Sequence, residues 1–463
     1  MNLFFQARTA RRSPALPAAS RLLASVAMLG VFLAAPLHAE TLQQILREAQ
    51  QYDPQLESAR AGRLVKGDSV TQERARLLPQ VGMTLDRRRI ENMAGTANSR
   101  AYDSENASLS LRQTLFNPAL WHSYQQSKLG DLMGEVTLLQ AQQALRLRVA
   151  LAYLAALAAR EDVVLFDKRI RTLEDLLHGV KRRFEEGKAT VIDVSQAQAD
   201  LTALRSQAVA AAGTLDIALG ELGELVGHPV RDLAELKPGM PAPDFSPQAL
   251  NKWLEKAEQN DFNVHLQTLA LHVAEREISK AKAEFLPTAE LVGSYSQGKA
   301  IFAPGLEINN SSVRQGTNSI GVTVTVPIFN GLASSGRVSQ ARHQAQQAGA
   351  ELSRARHAAR SAASRAFLSG RSGLDQIEAG RAALQTAQFA FDAVNKGYEY
   401  GKKSLTDVSL AADKLFQAKR DQARFQHNFY TNYLNLLSST GALDDAALLS
   451  LSDGTTSTAG SPN

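Results

Sequence analysis

Two short segments carry the side chains best placed to do chemistry. One reads Thr190-Val191-Ile192-Asp193, the other Ser404-Leu405-Thr406-Asp407, and they lie 214 positions apart. A hydroxyl followed three residues on by a carboxylate is close to a capping box, whose side chains satisfy free N–H groups at the start of a helix. Gly187 and Gly401 stand just before them and suit the left-handed conformation that ends a preceding helix. This chemistry is hydrogen bonding and ion pairing, not bond breaking. The chain has no H-E-x-x-H, P-loop, G-x-S-x-G, dinucleotide fingerprint or EF-hand loop, so no catalytic residue, cofactor or metal is expected. His265 and His272, seven apart on a helical stretch, read as a solvated or packed face. There is no cysteine, which excludes disulfides, thiolate metal sites and a lipid-modified N-terminal Cys.

Turns of this kind must join helices, and the flanking sequence supplies very long ones. No proline lies between Pro118 and Pro229, nor between Pro327 and Pro462. Both stretches are rich in Ala, Leu, Gln, Arg and Glu, good helix formers. Leu173, Leu177, Val180 and Phe184 follow 4-3-4 spacing, and Leu384, Ala387, Phe391, Val394 and Tyr398 follow 3-4-3-4, the seam of a coiled coil. Asn117-Pro118 is a good helix start, with Asn as cap and Pro in the first turn. A helix from Pro118 to Glu185 would run about 100 Å; its counterpart spans Gly331 to Tyr398. A coiled coil or a tube wall needs such helices, and a globular core rarely does.

Upstream of each long helix lies a strand pair. Leu109, Leu111, Gln113 and Leu115 alternate with polar or small residues, as do Ile320, Val322, Val324 and Val326. Partner strands fit Val81–Arg87 and Ala289–Ser296, leaving polar loops at Glu91–Glu105 and Gln297–Gly316. Four strands cannot close a barrel, and an open sheet edge in lipid leaves backbone groups unpaired. Strands that span a membrane would therefore be pooled by several chains, twelve strands for three copies. Alternatively, the hairpins pack on the helices of a soluble domain. Trp121 and Tyr124 follow the strand-to-helix junction and suit either a membrane interface or packing at the joint.

The two halves repeat each other. Leu46, Ala49 and Asp53 recur 208 positions on as Leu254, Ala257 and Asp261, and Leu78-Pro79 as Leu286-Pro287. Phe116-Asn117 recurs as Phe329-Asn330, 213 on. Phe184-x-x-Gly187-Lys188 recurs as Tyr398-x-x-Gly401-Lys402, Asp193-Val194 as Asp407-Val408 and Gly227 as Gly441, each 214 on. Helix is disfavoured before Pro79 and Pro287, so an initial helical stretch ends there in each half. The expected organisation is a signal peptide over 1–39, a first repeat over 40–228, a Pro-rich connector over 229–247, a second repeat over 248–443 and a disordered Ser/Thr/Gly-rich tail over 444–463. Residues 1–39 hold four arginines followed by an apolar stretch from Leu22 to Ala35, no acid, and Leu37-His38-Ala39 at the end, the pattern of a cleaved leader. Without them the net charge falls from +5 to +1, which removes the case for nucleic acid. No later run is long and apolar enough for a transmembrane helix.

In order and in doubling, the twin Leu-Pro junctions, twin Phe-Asn junctions and twin Gly-x5-Asp-Val tips resemble the TolC family of outer-membrane efflux and secretion channels, over residues 41–443. The resemblance implies an α+β membrane protein: a homotrimer sharing a 12-stranded β-barrel, four strands per chain, continued by a long α-helical coiled-coil tunnel through the periplasm. It implies a passive exit duct in the Gram-negative outer membrane, working with a periplasmic adaptor and an inner-membrane ABC or proton-driven transporter, in type I protein secretion or else multidrug efflux. The missing lipid-attachment Cys is similar to the secretion branch. By the same resemblance the tips form a periplasmic gate: Asp193 accepts from the Tyr398 hydroxyl, Lys403 stands where the family often has an arginine, and Asp407 projects into the pore. Capping and gating are compatible roles for one carboxylate. A second pore acid would fall at Leu410, which carries no charge. The rival reading is a periplasmic coiled-coil adaptor, with a lipoyl-like sandwich and a single helical hairpin.

Overall fold

In the computed structural model, residues 39–92, 100–235, 244–302 and 312–452 are described; the expected leader lies outside them. The first repeat runs α1 (Leu42–Tyr52), α2 (Pro54–Ala75), β1 (Gln80–Asn92), β2 (Arg100–Phe116), α3 (Pro118–Glu185) and α4 (Val191–Val226). The second repeats that order as α5 (Pro247–Asn260), α6 (Phe262–Ala283), β3 (Thr288–Phe302), β4 (Ser312–Thr325), α7 (Ala333–Glu399) and α8 (Leu405–Ser439), followed by α9 (Asp445–Ser452).

The helical stretch that opens each repeat is two helices, not one. Asp53 stops α1 in an extended conformation, and its carboxylate accepts the Leu56 N–H as the cap of α2, with Pro54 in the first turn. Asp261 does the same between α5 and α6. Asp53 is buried and is held by the Arg148 guanidinium at 3.0 Å, so this break is anchored to α3.

The strands form one antiparallel sheet in the order β1-β2-β3-β4. Its register puts Val81, Met83 and Leu85 beside Leu111, Leu109 and Ala107, and continues through Leu291 and Tyr295 to Ile320 and Val322. That face is an exposed apolar band; the other carries Thr84, Ser108, Ser110, Ser294, Ser319 and Thr317. Successive side chains alternate sides, so every strand contributes to both faces. The strands run further than their apolar alternation predicts. Arg100–Glu105, Gln297–Phe302 and Ser312–Gly316 were expected as loop and are ladder. Ladder bonds are made by the backbone, and here cross-strand ion pairs replace apolar neighbours: Arg87 reaches Asp103 at 3.3 Å and Glu105 at 3.6 Å. The loop residues 93–99 and 303–311 lie outside the described part.

The largest core cluster joins α1, α3, α4, α8 and α9 around the fully buried Tyr153. The tail expected to be disordered is corrected here over its first part. Asp444 caps α9 through the Ala447 N–H at 2.7 Å, Asp445 meets Arg146 at 2.6 Å, and Leu448 is buried in this cluster. The Ser/Thr/Gly content that suggested disorder begins only where α9 ends. The connector is pinned at both described ends. Glu40 bridges to Leu233, and the Tyr153 hydroxyl donates to the Ala234 carbonyl at 2.5 Å. At the other end Phe245 packs between Phe367 and Phe429, against a bare Gly370 whose Cβ would lie 2.6 Å from the ring.

Candidate functional site: the helix-hairpin tips

The α3–α4 and α7–α8 turns are built alike. At the first, the Gly187 N–H donates to the Phe184 carbonyl at 2.9 Å and the Lys188 N–H to that of Arg183 at 2.7 Å. At the second, Gly401 donates to Tyr398 at 3.0 Å and Lys402 to Gly397 at 2.8 Å. Both are Schellman closures, and both glycines are left-handed, with φ of 71° and 70°. An L side chain resists that region, which explains the glycine in each repeat.

The returning helices start with matched capping boxes. Asp193 accepts from the Thr190 N–H and hydroxyl, each at 2.8 Å, while the Asp193 N–H donates to Thr190 Oγ1 at 3.2 Å. Asp407 accepts from the Ser404 N–H at 3.0 Å and hydroxyl at 2.9 Å, and returns its own N–H at 3.1 Å. The Ser404 N–H and hydroxyl, with a smaller contribution from the Lys403 charge, hold the Asp407 carboxyl below its usual range. All four residues of the two boxes thus fix the direction in which each helix leaves its turn.

The structure does not bring Tyr398 to Asp193: no hydrogen bond links them. The Tyr398 ring instead packs against a cluster of α3 and α4 residues including Leu177, Val180 and Leu201, and the Arg183 guanidinium sits 4.5 Å from its centroid. The stem of Lys403 lies over Gly397, whose Cβ would come within 2.8 Å of the lysine Cγ. Arg183 is the tip residue that sequence reasoning missed. Its signal was the repeat itself, since Arg183 corresponds at offset 214 to Gly397, a point where the two halves differ. Leu410, one turn beyond Asp407, is an exposed apolar side chain on α8.

Above the tips, polar pairs join the two hairpins. Ser409 donates to Asp200 at 2.7 Å, Arg169 to Asp413 at 2.8 Å, and Arg420 grips Asp162 with bonds of 3.0 and 2.7 Å. These residues carried no sequence signal, because a charged residue within a long helix looks the same whether solvated or paired.

The strand–helix junctions differ between repeats. Leu78 and Leu286 close the last turns of α2 and α6 with N–H bonds to Ala75 and Ala283, and Pro79 and Pro287 follow. Phe116 ends β2, and Asn117 caps α3 by accepting the Leu120 N–H at 3.2 Å. Asn330 makes no such cap. It donates to the Ser334 hydroxyl, Phe329 is exposed, and α7 starts after Leu332 in a left-handed conformation, φ 67°. The Trp121 and Tyr124 rings meet at a tilt of 50°, centroids 5.7 Å apart. Among the described residues no cluster could hold a metal ion and no helix is long and apolar enough to cross a membrane.

Comparison with known proteins places this architecture. The family described as outer membrane efflux protein matches residues 45–228 and 253–442, one block per repeat. The chain is 28% identical over 422 residues to outer membrane protein TolC of Escherichia coli K12, covering 90% of this chain and 85% of that one. It is 26% identical over 409 residues to the proteases secretion protein PrtF of Dickeya chrysanthemi, covering 86% and 87%. Its fold is similar to that of VceC from Vibrio cholerae, with TM-score 0.72, 16% identity and coverage of 86% and 96%. It is also similar to CusC, with TM-score 0.75, 20% identity and coverage of 86% and 92%. The chain therefore belongs to the outer membrane efflux protein family, that of TolC, a family of channels rather than enzymes, and its place is the Gram-negative outer membrane with extension into the periplasm.

Proposed function

We propose that three copies of this chain form a passive exit duct for type I protein secretion, with multidrug efflux as the second reading. One observation carries the duct: a two-faced sheet with unpaired outer edges on β1 and β4 is continued by helices of 68 and 67 residues. An apolar face backed by a polar face suits lipid outside and water inside. The free edges need partners in lipid, and β4 of one copy meeting β1 of the next closes twelve strands. An adaptor is not favoured, since the chain carries two helical hairpins on a single sheet. The secretion reading is supported by the protease-secretion relative and by the absence of a cysteine for lipid attachment.

The tips serve as the entrance, closed at rest. Asp407 contributes one carboxylate per copy there, Asp193 and Asp407 keep the returning helices in register, and Lys403 and Tyr398 hold the tips together. A periplasmic adaptor and an inner-membrane transporter, ABC or proton-driven, supply docking and energy, because no nucleotide motif exists in the chain. The test is twofold. Detergent-extracted protein should run as a heat-modifiable trimer and form closed, low-conductance channels in a planar bilayer. A channel-deficient Gram-negative host carrying the chain should regain export of a type I substrate. A monodisperse monomer in plain buffer would remove the duct; restored drug efflux without restored protein export would select the second reading.

A further inference from the structure

The sheet face that carries Val81, Met83 and Leu85 changes character along its strands, and the register lets it be read in rows from β1 to β4. Nearer the helices the rows are Val81–Leu111–Gly293–Ile320 and Met83–Leu109–Tyr295–Asn318. Toward the hairpin loops they become Leu85–Ala107–Gln297–Gly316 and then Arg87–Glu105–Lys299–Arg314. Ala289, at the helix end of this face, and Lys299 stand ten positions apart on β3. That is about 34 Å along a strand and about 26 Å along the membrane normal at a tilt of about 40°, the height of the apolar band of an outer-membrane barrel. The charged row therefore stands where the hydrocarbon ends, on the side away from the helices.

This row is unbalanced. Arg87 holds Glu105 at 3.6 Å and Asp103, one row further on, at 3.3 Å. Lys299 makes no ion pair among the described residues, and the residue opposite it on β4 is Arg314. Like charges directly opposite one another in a sheet repel, and in this row three cations accompany one carboxylate. The other face is balanced at the same height, where Arg88 meets Asp86 at 3.2 Å beside Ser104 and Asn106. Next to the charged row lies a concavity of about 590 Å³. Leu85 and Ala107 line its apolar side, Arg87, Glu105 and Lys299 its charged side, and the exposed Gln297 stands between them.

Resting on the trimer reading above, we propose that this concavity binds the phosphorylated sugar headgroup of a lipid of the outer leaflet, with the acyl chains laid along the apolar band toward Met83 and Leu109. The excess cationic charge selects an anion, and a phosphate oxygen gives Lys299 the acceptor it lacks while offsetting its repulsion of Arg314. Gln297 offers an amide to sugar hydroxyls. The occupant is a lipid because the charged row is continuous with the apolar band: a free phosphate would gain the charge alone, whereas a lipid also buries its chains against Leu85 and Leu109. Basic residues at the edge of a lipid-facing surface recognise anionic headgroups by the same pairing of forces. Three copies would present three such sites around the barrel.

Trimer purified in a non-ionic detergent and titrated with bisphosphorylated lipid A should retain up to three molecules by native mass spectrometry. Lys299→Glu, which sets a second carboxylate beside Glu105, should weaken this binding at least tenfold. Lys299→Gln removes the charge without adding one; it should weaken binding at least fourfold, and it decides the matter if the glutamate variant does not assemble. Arg88→Glu, at the same height on the opposite face, should leave binding within twofold. Lipid A stripped of its phosphates should bind at least tenfold more weakly, and inorganic phosphate in large excess should not displace the intact lipid. The proposal is overturned if both Lys299 variants bind as the unmodified trimer does, if Arg88→Glu weakens binding as much as they do, or if the stripped lipid binds equally well. Displacement by inorganic phosphate would overturn it too, leaving a free-anion site. A protein that forms no trimer before any lipid is added would instead sink the function proposed above.

Discussion

Ser404 and Asp407 hold each other, so a change in either acts on the turn as well as on any pore it lines. Ser404→Ala removes a cap acceptor and should lower the stability of the α7–α8 hairpin by about 1 kcal/mol, measured by thermal unfolding in detergent, while Ser404→Thr should retain it. The Asp407 carboxyl is held low chiefly by the Ser404 N–H, then by its hydroxyl and by Lys403. A carboxylate whose folded value is depressed contributes fully above its unfolded value and loses that contribution as pH falls through the lowered one. Block of the channel by divalent or cobalt-type cations from the periplasmic side should therefore persist below pH ~4, where ordinary carboxylates protonate, and vanish in Asp407→Ala at every pH. Unchanged block in that variant would leave Asp407 as a cap alone. At Tyr398 the ring, not the hydroxyl, makes the contact with Arg183. Arg183→Ala and Tyr398→Leu should each raise closed-state conductance, and Tyr398→Phe should not; a rise in Tyr398→Phe would restore the hydroxyl link to Asp193.

The long helices, the twin turns and the doubling were legible because each leaves a pattern that does not depend on distant partners: heptad spacing, Gly followed by a capping pair, and a near-constant offset. What was not legible depended on partners far along the chain. Strand ends rich in Arg, Asp and Ser read as loop because the eye follows apolar alternation, while the ladder needs only backbone and cross-strand charge. The second long helix was expected from Gly331, yet α7 begins at Ala333, three residues after Asn330, through a strained Leu332. A non-glycine residue at φ 67° forgoes roughly 1–2 kcal/mol. Leu332→Gly should therefore stabilise the β4–α7 junction by about 1 kcal/mol, and a lowered unfolding temperature would show that the leucine side chain matters more than its backbone. The docking of Phe245 onto bare Gly370 was equally invisible. Gly370→Ala drives a methyl into a ring and should destabilise by about 1–3 kcal/mol, with new protease cleavage at the connector as the accompanying sign.

At the scale of the whole molecule, the decisive question is which solvent each side of the sheet meets, and the register makes it answerable. Met83 and Thr84 are neighbours on β1, paired with Leu109 and Ser108, and their side chains point to opposite faces. Both are exposed in the single chain, so a lysine at either position has room and leaves the chain's own packing almost untouched. In a trimeric barrel the two sites part company. Lysine at 83 would stand among Val81, Leu85 and Leu109 in the hydrocarbon, at about 2–4 kcal/mol per copy near the midplane, and three copies multiply the penalty. Lysine at 84 would join Ser108 and Ser110 on the water side at little cost. Met83→Lys should therefore abolish heat-modifiable trimers in outer-membrane fractions, whereas Thr84→Lys should assemble normally and change only ion selectivity. Equal assembly of both variants would mean that the apolar face does not meet lipid, and the four strands would then belong to a soluble domain.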